Sequence, residues 1–288
     1  MFNRLYRTLK FTAIATSATF SLCISATSFA ENNLAELEKK SAYDLMELSE
    51  EKYNGNTQIS NSTMVLIDEK GNKRVRRMKS YRKDFGDNMK DEKSIYFFEY
   101  PDDIKDTSYM NFDWQQDNVD DDSWLYLPAL KKVKRLAAAD KSDAFLGSDF
   151  TYTDIKTAKR HYWDYTFAAK SEIVEGHDCW VVEGLPKKGI EEKVRKETGY
   201  SKVHIWIRKD NLVKIQGTFW MLKGKKIKYF KASDIEKIDG IWTAKVNQMS
   251  TTKQGRVEHT TVIRLDDVVY DNEVDDSYFT PQKMKRGV

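Results

Sequence analysis

The amino-acid sequence predicts a mainly β protein made of consecutive antiparallel hairpins. Apolar and polar residues alternate with a period of two over most of the chain from position 57 onwards, and turn residues recur about every 10–12 positions. No alternation of strands with long helical segments is visible, which argues against a parallel α/β sheet. Hydrophobic residues make up 40% of the chain and aromatic residues 12%, which is enough for a folded core and argues against disorder.

The first predicted element is a helix at 33–48, where apolar residues recur at helical spacing among Glu and Lys. A turn at 53–56 ends it, and a hairpin with strands 57–67 and 73–85 follows. Further strands are predicted at 95–100, 108–114, 123–127, 131–136, 165–174, 179–184, 203–208, 212–222, 226–232, 242–251 and 256–265. The predicted interruptions are a short helix at 154–162, a loop or helical turn at 190–198 and a capped turn at 275–281.

The first 30 residues have the pattern of a cleavable secretory signal peptide. Three basic residues and no acidic one precede a moderately apolar stretch, and Ser28-Phe29-Ala30 fits the small-x-small cleavage rule. We therefore expect cleavage after Ala30, export of the mature chain, and a single domain over 31–288. Cys23 leaves with the signal, so Cys179 remains alone and an intramolecular disulfide cannot form.

The charges argue against a nucleic-acid-binding protein. The 48 basic and 45 acidic residues give a net charge of +3, but three of the basic residues lie in 1–30, so the remainder is neutral. Residues 31–122 hold 22 acidic and 14 basic residues, net −8, and residues 123–288 hold 23 and 31, net +8. This polarity suits docking to a charged membrane or protein partner better than binding to nucleic acid.

The residues that could carry chemistry do not form a known catalytic or metal-binding pattern. The four histidines lack ligand spacing, and the acidic run 117–122 lacks the Gly and Glu of a calcium loop. Ser148 follows a glycine but is not in a GxSxG motif, and Cys179 lies in a predicted strand as a small buried residue. We therefore predict no catalytic residue, no metal and no cofactor.

The aromatic residues suggest that both faces of the sheet are covered. All seven tryptophans fall in or beside predicted strands, and the strand 95–100 places Tyr96 and Phe98 on one face and Phe97 on the other. Either helices and loops of the protein itself cover both faces, or one face lines a cavity for an apolar ligand. Periodicity alone leaves both alternatives open.

The segment 124–136 (WLYLPALKKVKRL), followed by 145–155 (FLGSDFTYTDI), resembles the central signature of exported LolA-like proteins, the outer-membrane lipoprotein-sorting family. The resemblance implies a strongly curved antiparallel sheet, an incomplete barrel, with helices or loops covering its concave face. It also implies a periplasmic, monomeric, non-enzymatic carrier or chaperone. Such a carrier binds acyl chains of lipoproteins or of another lipid for transfer towards the outer membrane, with an inner-membrane transporter as a further partner.

The resemblance leads to a predicted lipid-binding cavity and a cover over it. The loop 137–150 is either a flap with an apolar underside at Phe145 and Leu146 or a connector that packs Phe145 into the main core. Gly147 is expected to supply an unusual backbone angle. In the best-known carrier of the family, an arginine latches the lid. The resemblance does not assign this role to one residue here, because Arg76, Arg77 and Arg82 share one strand. The predicted cavity residues are Phe97, Phe112, Trp114, Leu125, Leu127, Phe145 and Phe150.

Two other functions remain open from the sequence. The first is a non-enzymatic accessory module of an envelope lipid exporter, which would bind a protein through its surface. The second is an acyl hydrolase that uses Ser148 with a distant histidine, for which the nucleophile motif is missing.

Overall fold

The computed structural model describes residues 33–116, 119–156 and 158–288. The predicted signal peptide 1–30, with its cleavage after Ala30, lies outside the described residues. Among the described helices, none combines the length and the apolar character that crossing a bilayer requires.

Contacts within the chain separate the residues up to Lys40 from a compact unit at Ser41–Val288. Before that unit, residues 33–37 are helical. The single domain expected over 31–288 stays a prediction.

The helix predicted at 33–48 is in fact interrupted, because Ser41 starts a new helix. This helix, α1, spans Ala42–Glu50. The Ser41 hydroxyl accepts a hydrogen bond from the Asp44 backbone N–H, and the Asp44 carboxylate accepts one from the Ser41 N–H, each at 3.1 Å. This reciprocal capping satisfies two backbone donors that a helix end otherwise leaves unpaired.

Thirteen strands of the described chain form one antiparallel sheet. Their bounds are β1 Thr57–Asp68, β2 Lys73–Phe85, β3 Asp91–Tyr100, β4 Ser108–Asp113, β5 Asp122–Leu127, β6 Lys132–Arg135, β7 Trp163–Val174, β8 His177–Pro186, β9 Tyr200–Arg208, β10 Lys214–Met221, β11 Lys226–Ile238, β12 Ile241–Lys253 and β13 Arg256–Tyr270. Consecutive strands pair within β1–β6, the first meander, and within β7–β13, the second meander, and β1 pairs with β13 to join the two. Among the described strands β6 and β7 end the sheet without pairing to each other, so the predicted incomplete barrel is confirmed.

The β1–β2 hairpin has the turn that its sequence predicts. The carboxylate of Asp68 accepts hydrogen bonds from the backbone N–H groups of Lys70 and Asn72, both at 2.9 Å. Gly71 has φ +83°, a left-handed conformation that favours glycine. The local chemistry of the turn therefore sets the register of both strands.

The remaining helices are short, and one prediction among them is wrong. Residues 191–198 form helix α2 (Glu191–Thr198), and Thr280 caps a final helix α3 (Pro281–Arg286). The predicted helix at 154–162 is limited to a 3-10 turn at Arg160–Tyr162. Side chains of this stretch bond to the sheet and to helices α1 and α2, and those tertiary contacts outweigh its helical propensity.

The concave face carries the main apolar core. Side chains from strands of both meanders meet there beneath residues 136–162. Its buried members are Met64, Leu66, Met78, Phe98, Ile104, Tyr109, Leu136, Phe145, Phe150, Tyr152, Met249 and Ile263. Helices and loops thus cover the concave face, as the predicted fold class requires.

The convex face is covered as well, in two separate places. The C-terminal segment packs Val274, Phe279 and Met284 against β2, β3 and β4. A second cluster on β8, β9 and β10 contains Cys179, whose thiol is fully buried. Burial, with the nearby Asp178 carboxylate, raises the pKa of Cys179 to about 11, as expected for a small buried residue rather than a nucleophile.

Candidate functional site

An irregular stretch, residues 136–162, crosses the concave face, and we call it the lid segment. Its described part contains three short 3-10 turns, at Ala138–Asp140, Phe145–Gly147 and Arg160–Tyr162. At the middle turn, Leu146 and Gly147 both have positive φ, 49° and 78°. The unusual backbone angle predicted for Gly147 is therefore present, and it turns the chain back towards the sheet.

Phe145 fills the concave face over the first meander. Its side chain is fully buried, and its ring centroid lies 5.4 Å from those of Tyr109 and Tyr152 and 6.0 Å from that of Phe98. The rings of Tyr109 and Tyr152 meet it edge to face, the favoured aromatic geometry. Phe145 is thus packed into the main core, as the connector interpretation of this loop expects.

One arginine of β2 reaches the lid segment. Arg76 Nη1 donates a hydrogen bond to the Leu146 carbonyl oxygen at 2.7 Å. The other two candidates contact other groups: the Arg77 guanidinium lies 5.1 Å from the Tyr100 ring centroid, and Arg82 binds carboxylates of its own hairpin region. Arg76 is therefore the one of the three whose observed hydrogen bond holds the lid segment.

Asp149 anchors the lid segment to the second meander. Its buried carboxylate accepts hydrogen bonds from Thr251 at 2.5 Å, from Thr261 at 2.8 Å and from His259 Nδ1. The ammonium of Lys228 donates to the Asp149 backbone carbonyl oxygen at 2.5 Å. These bonds satisfy a buried carboxylate that would otherwise be costly, and they fix the chain next to Phe150.

Asp154 makes a second attachment close by. Its carboxylate accepts a hydrogen bond from the Tyr200 hydroxyl at 2.7 Å and one from the Thr151 backbone N–H at 2.8 Å. Burial, with the Asp154 charge, raises the pKa of Tyr200 well above its ordinary value, so the hydroxyl stays a donor. Tyr162 likewise donates to the Glu197 carboxylate of α2 at 3.0 Å.

A buried ion cluster holds the lid segment to the loop between β4 and β5. Lys156 and Lys159 both bind the Asp121 carboxylate, the latter at 2.6 Å, and Lys141 donates to the Asp121 carbonyl oxygen at 3.1 Å. Burial opposes ionisation of Asp121, but the two lysines outweigh it and lower its pKa. The carboxylate is therefore charged under neutral conditions.

Beside these attachments lies an apolar cavity of about 230 Å³. It occupies the concave face of the second meander, between the sheet, helices α1 and α2, and the lid segment. Its volume exceeds the roughly 150 Å³ of an engineered cavity that binds benzene. Its apolar lining comes from Met46, Phe150, Tyr162, Trp163, Tyr165, Tyr200, Val203, Ile205, Phe219, Phe230 and Met249.

Three of the seven predicted cavity residues contribute to the cavity or to the core beside it. Phe150 lines the cavity. Phe145 and Leu125 lie in the adjacent core over the first meander. Their shared face follows from the strand pairing of Leu125 with Tyr109, whose ring contacts Phe145.

The other four lie away from the cavity. Phe97 and Phe112 pack on the convex face with the C-terminal segment. Trp114 follows β4, and its ring centroid lies 5.2 Å from that of Phe85. Leu127 is half-buried at the end of β5. Successive strand residues point to opposite faces, so Phe97 lies on the face opposite to that of the concave-face residue Phe98. The structure therefore does not bring the seven predicted residues together.

Ser148, the nucleophile of the hydrolase alternative, makes no hydrogen bond to a histidine of the described residues. Its side chain is buried, and its hydroxyl donates to the Phe150 carbonyl oxygen at 3.3 Å. His259 binds the carboxylate of Asp149 instead. No group of three or more His, Cys, Asp or Glu residues suited to a metal ion occurs in the described ranges.

Most of the residues that line the cavity are not among the seven predicted from the sequence. Val203, Ile205, Phe219, Phe230 and Met249 come from four strands of the second meander. Each strand was predicted, and its alternation gave two sets of side chains. The strand pairing, such as Phe219 with both Val203 and Lys228, is the signal that places these residues on one face.

The comparisons with solved structures agree on the fold. A proposed outer-membrane lipoprotein-sorting protein domain from Vibrio parahaemolyticus has a TM-score of 0.73 at 23% identity, covering 85% of this chain and 98% of that one. A LolA superfamily protein from Nitrosomonas europaea has a TM-score of 0.62 at 15% identity, covering 85% and 99%. At these identities the likeness establishes the LolA-like fold, so the resemblance noted in the sequence is confirmed at that level.

Two findings go further than the fold. A family model described as an uncharacterized protein matches residues 90–286. No match is found among curated proteins. A DUF1329 family protein from Desulfovibrio piger is 33% identical, with a TM-score of 0.74, covering 84% of this chain and 97% of that one. The family model matches about two thirds of the chain, and the identity to the Desulfovibrio piger protein extends over nearly its whole length. This chain therefore belongs to the DUF1329 family and has the LolA-like fold.

Proposed function

We propose that the chain is a non-enzymatic periplasmic carrier that binds acyl chains of lipoproteins or of another lipid for transfer towards the outer membrane. The observation that carries the proposal is the apolar cavity between the concave face and the lid segment. An acyl chain in water costs about 0.8 kcal/mol for each methylene group, so a carrier needs an apolar enclosure. The description of the Vibrio relative as a proposed lipoprotein-sorting domain supports the same function.

The proposed carrier function involves the lid segment, because this segment borders the cavity. The cavity of about 230 Å³ lies beside the lid segment, so movement of that segment would enlarge it for a longer acyl chain. Besides its buried apolar side chains, the segment is attached by hydrogen bonds and ion pairs at Arg76, Asp121, Asp149 and Asp154. Hydrogen bonds to charged groups contribute about 1.5–3 kcal/mol each, so water and the ligand have to compensate for those that open.

A displacement assay with a fluorescent fatty acid tests the proposal. The protein is purified without detergent and compared with Ile205→Trp, which places an indole in the cavity, and with Tyr229→Trp, which places one on an exposed position outside the lining. We expect affinity to fall about tenfold in Ile205→Trp and to stay within about twofold of the parent in Tyr229→Trp. Absence of uptake by the parent protein, or equal uptake by both variants, would contradict the proposal.

Mass spectrometry of lipids that co-purify from the native envelope identifies the cargo. Acyl-bearing molecules should be enriched in the parent protein and depleted in Ile205→Trp, because the indole occupies their place. Equal recovery from the two proteins would mean that the lipids adhere elsewhere.

A further inference from the structure

A second, polar cavity of about 320 Å³ abuts the apolar one. Glu50, Ala158 and Lys159 line both cavities, so the two are separated by no more than these side chains. The polar cavity lies between the C-terminal end of α1, the loop that follows it, and the end of the lid segment. Its charged lining is Glu50, Glu51, Lys52, Asp84, Lys90, Glu92, Lys159 and Arg160.

The carboxylates around this cavity already have cationic partners. Arg160 binds Glu50 at 3.2 Å and Glu51 at 3.3 Å, and it also binds Glu47 outside the cavity at 2.8 Å. Glu50 has a second partner in Lys214 at 2.8 Å. The negative charge contributed by α1 and its end is therefore compensated within the protein.

The carboxylates on the opposite wall are compensated too. Arg82 binds Asp84 at 2.7 Å and Glu92 at 3.3 Å. Burial raises the pKa of both carboxyl groups, although the Arg82 charge opposes the shift. Neither wall therefore offers an unpaired carboxylate that would select a cationic ligand.

One cation that lines the cavity has no acceptor within the described chain. The half-buried Lys52 makes no hydrogen bond or ion pair there, and burial, with the neighbouring Lys214 charge, lowers its pKa. A partly buried donor without an acceptor is costly, and an oxyanion in the cavity supplies what the Lys52 ammonium lacks.

We propose that the polar cavity binds the phosphate of a phospholipid whose acyl chain occupies the adjoining apolar cavity. This inference rests on the proposed carrier function and adds the class of its ligand. The Lys52 ammonium donates to the phosphate oxygens, and the shared wall at Glu50, Ala158 and Lys159 is the boundary between head group and chain. The single uncompensated positive charge of Lys52 matches the single negative charge of a phosphodiester.

The test compares two ligands with the same acyl chains. Dioctanoyl phosphatidylglycerol carries the phosphodiester, and dioctanoylglycerol lacks it. The parent protein should bind the phospholipid about tenfold more tightly than the neutral lipid. Equal binding of the two would overturn the inference while leaving the carrier function intact, whereas binding of neither would overturn the carrier function itself.

A lysine pair provides the matched variants. Lys52→Met removes the unpaired cation, and Lys90→Met removes a cation of the same cavity that Glu51 already partners at 3.4 Å. Lys52→Met should reduce the preference for the phospholipid to about twofold and leave neutral-lipid binding unchanged, with a smaller effect in Lys90→Met. A loss of affinity for both lipids in Lys52→Met would overturn the assignment.

Inorganic phosphate distinguishes a lipid head group from a free anion. At millimolar concentration it should compete with the phospholipid only weakly, because it has no acyl chain to bury. Displacement of the phospholipid by phosphate at equal concentration would instead identify a site for the free anion and overturn the lipid source.

Discussion

The two meanders form two halves of one concave sheet face. Side chains fill the half over the first meander, which we call the filled half, and a cavity remains over the second, which we call the hollow half. Over β1–β6 the lid segment inserts Phe145 among aromatic rings 5.4–6.2 Å away. Over β7–β12 the same segment approaches through Phe150 and leaves a cavity of about 230 Å³. The difference lies in the cover: the Phe145 side chain fills one half, and the lid segment leaves space over the other.

The comparison suggests a division of labour within one sheet. The filled half contributes close packing, which stabilises the fold. The hollow half leaves apolar surface uncovered, and there Asp149 and Asp154 hold the lid segment through hydrogen bonds. Substitutions in the two halves should therefore have different effects on stability and on ligand uptake.

The largest difference is expected between Phe145→Ala and Phe219→Ala. Phe145 is fully buried, so its truncation opens a cavity and should cost about 3–5 kcal/mol of unfolding free energy. Phe219 is only partly buried and borders existing space, so its truncation should cost about 1–2 kcal/mol. Urea unfolding of the two variants measures both, and equal losses would remove the distinction between a filled and a hollow half.

The next effect concerns pH and the filled half. Burial, with the nearby Asp121 charge, raises the pKa of Asp113 to about 7, while Lys156 opposes the shift. Since the folded protein holds this proton at pH values where the unfolded chain has released it, the contribution of Asp113 to stability falls from about pH 4 to about pH 7 and then levels off. The free energy of unfolding of the parent minus that of Asp113→Asn should fall over this window.

That difference must be measured between the two proteins, because other carboxyl groups titrate in both. Asp121, Lys156 and Glu92 lie close enough to Asp113 to influence its charge. A difference that stays constant from pH 4 to pH 7 would mean that Asp113 is ionised throughout.

Much of the fold could be predicted from the sequence because its determinants are local. Alternation located the strands, and the turn at Gly71 fixed the first hairpin. The helix expected at 154–162 failed for the opposite reason, since Asp154 bonds to Tyr200 of a distant strand. A contact between residues 46 positions apart leaves no periodic trace.

The site was less predictable because alternation separates side chains without saying which set faces the cavity. Phe97 and Phe98 are both aromatic and both buried, yet they lie on opposite faces. The anchors of the lid segment are also remote in sequence: Asp149 binds Thr251 and Thr261, 102 and 112 positions away. The family motif located the lid segment, and the strand pairing was needed to place the cavity.

Removal of the Asp149 anchor should weaken the cover of the hollow half. In Asp149→Asn the side chain loses its charge, and with it the charge-assisted bonds from Thr251 and Thr261, for a cost of about 2 kcal/mol. The matched control is Asp143→Asn, an exposed aspartate of the same segment, which should change stability by less than about 0.5 kcal/mol. Hydrogen exchange of residues 149–154 should accelerate in the first variant alone, and unchanged exchange would mean that Asp149 does not anchor the segment.

The smallest expected effect comes from two glycine substitutions, one in the lid segment and one in a turn outside it. Gly147 and Gly71 have φ of +78° and +83°, and an added Cβ would meet no atom within 4 Å at either position. Alanine should therefore cost about 1 kcal/mol at both, from the left-handed backbone alone. Because only Gly147 lies in the lid segment, Gly147→Ala should also alter the rate of fatty-acid uptake in stopped-flow measurements, whereas Gly71→Ala should not. Equal uptake rates in the two variants would mean that the turn at Leu146 and Gly147 plays no part in admitting the ligand.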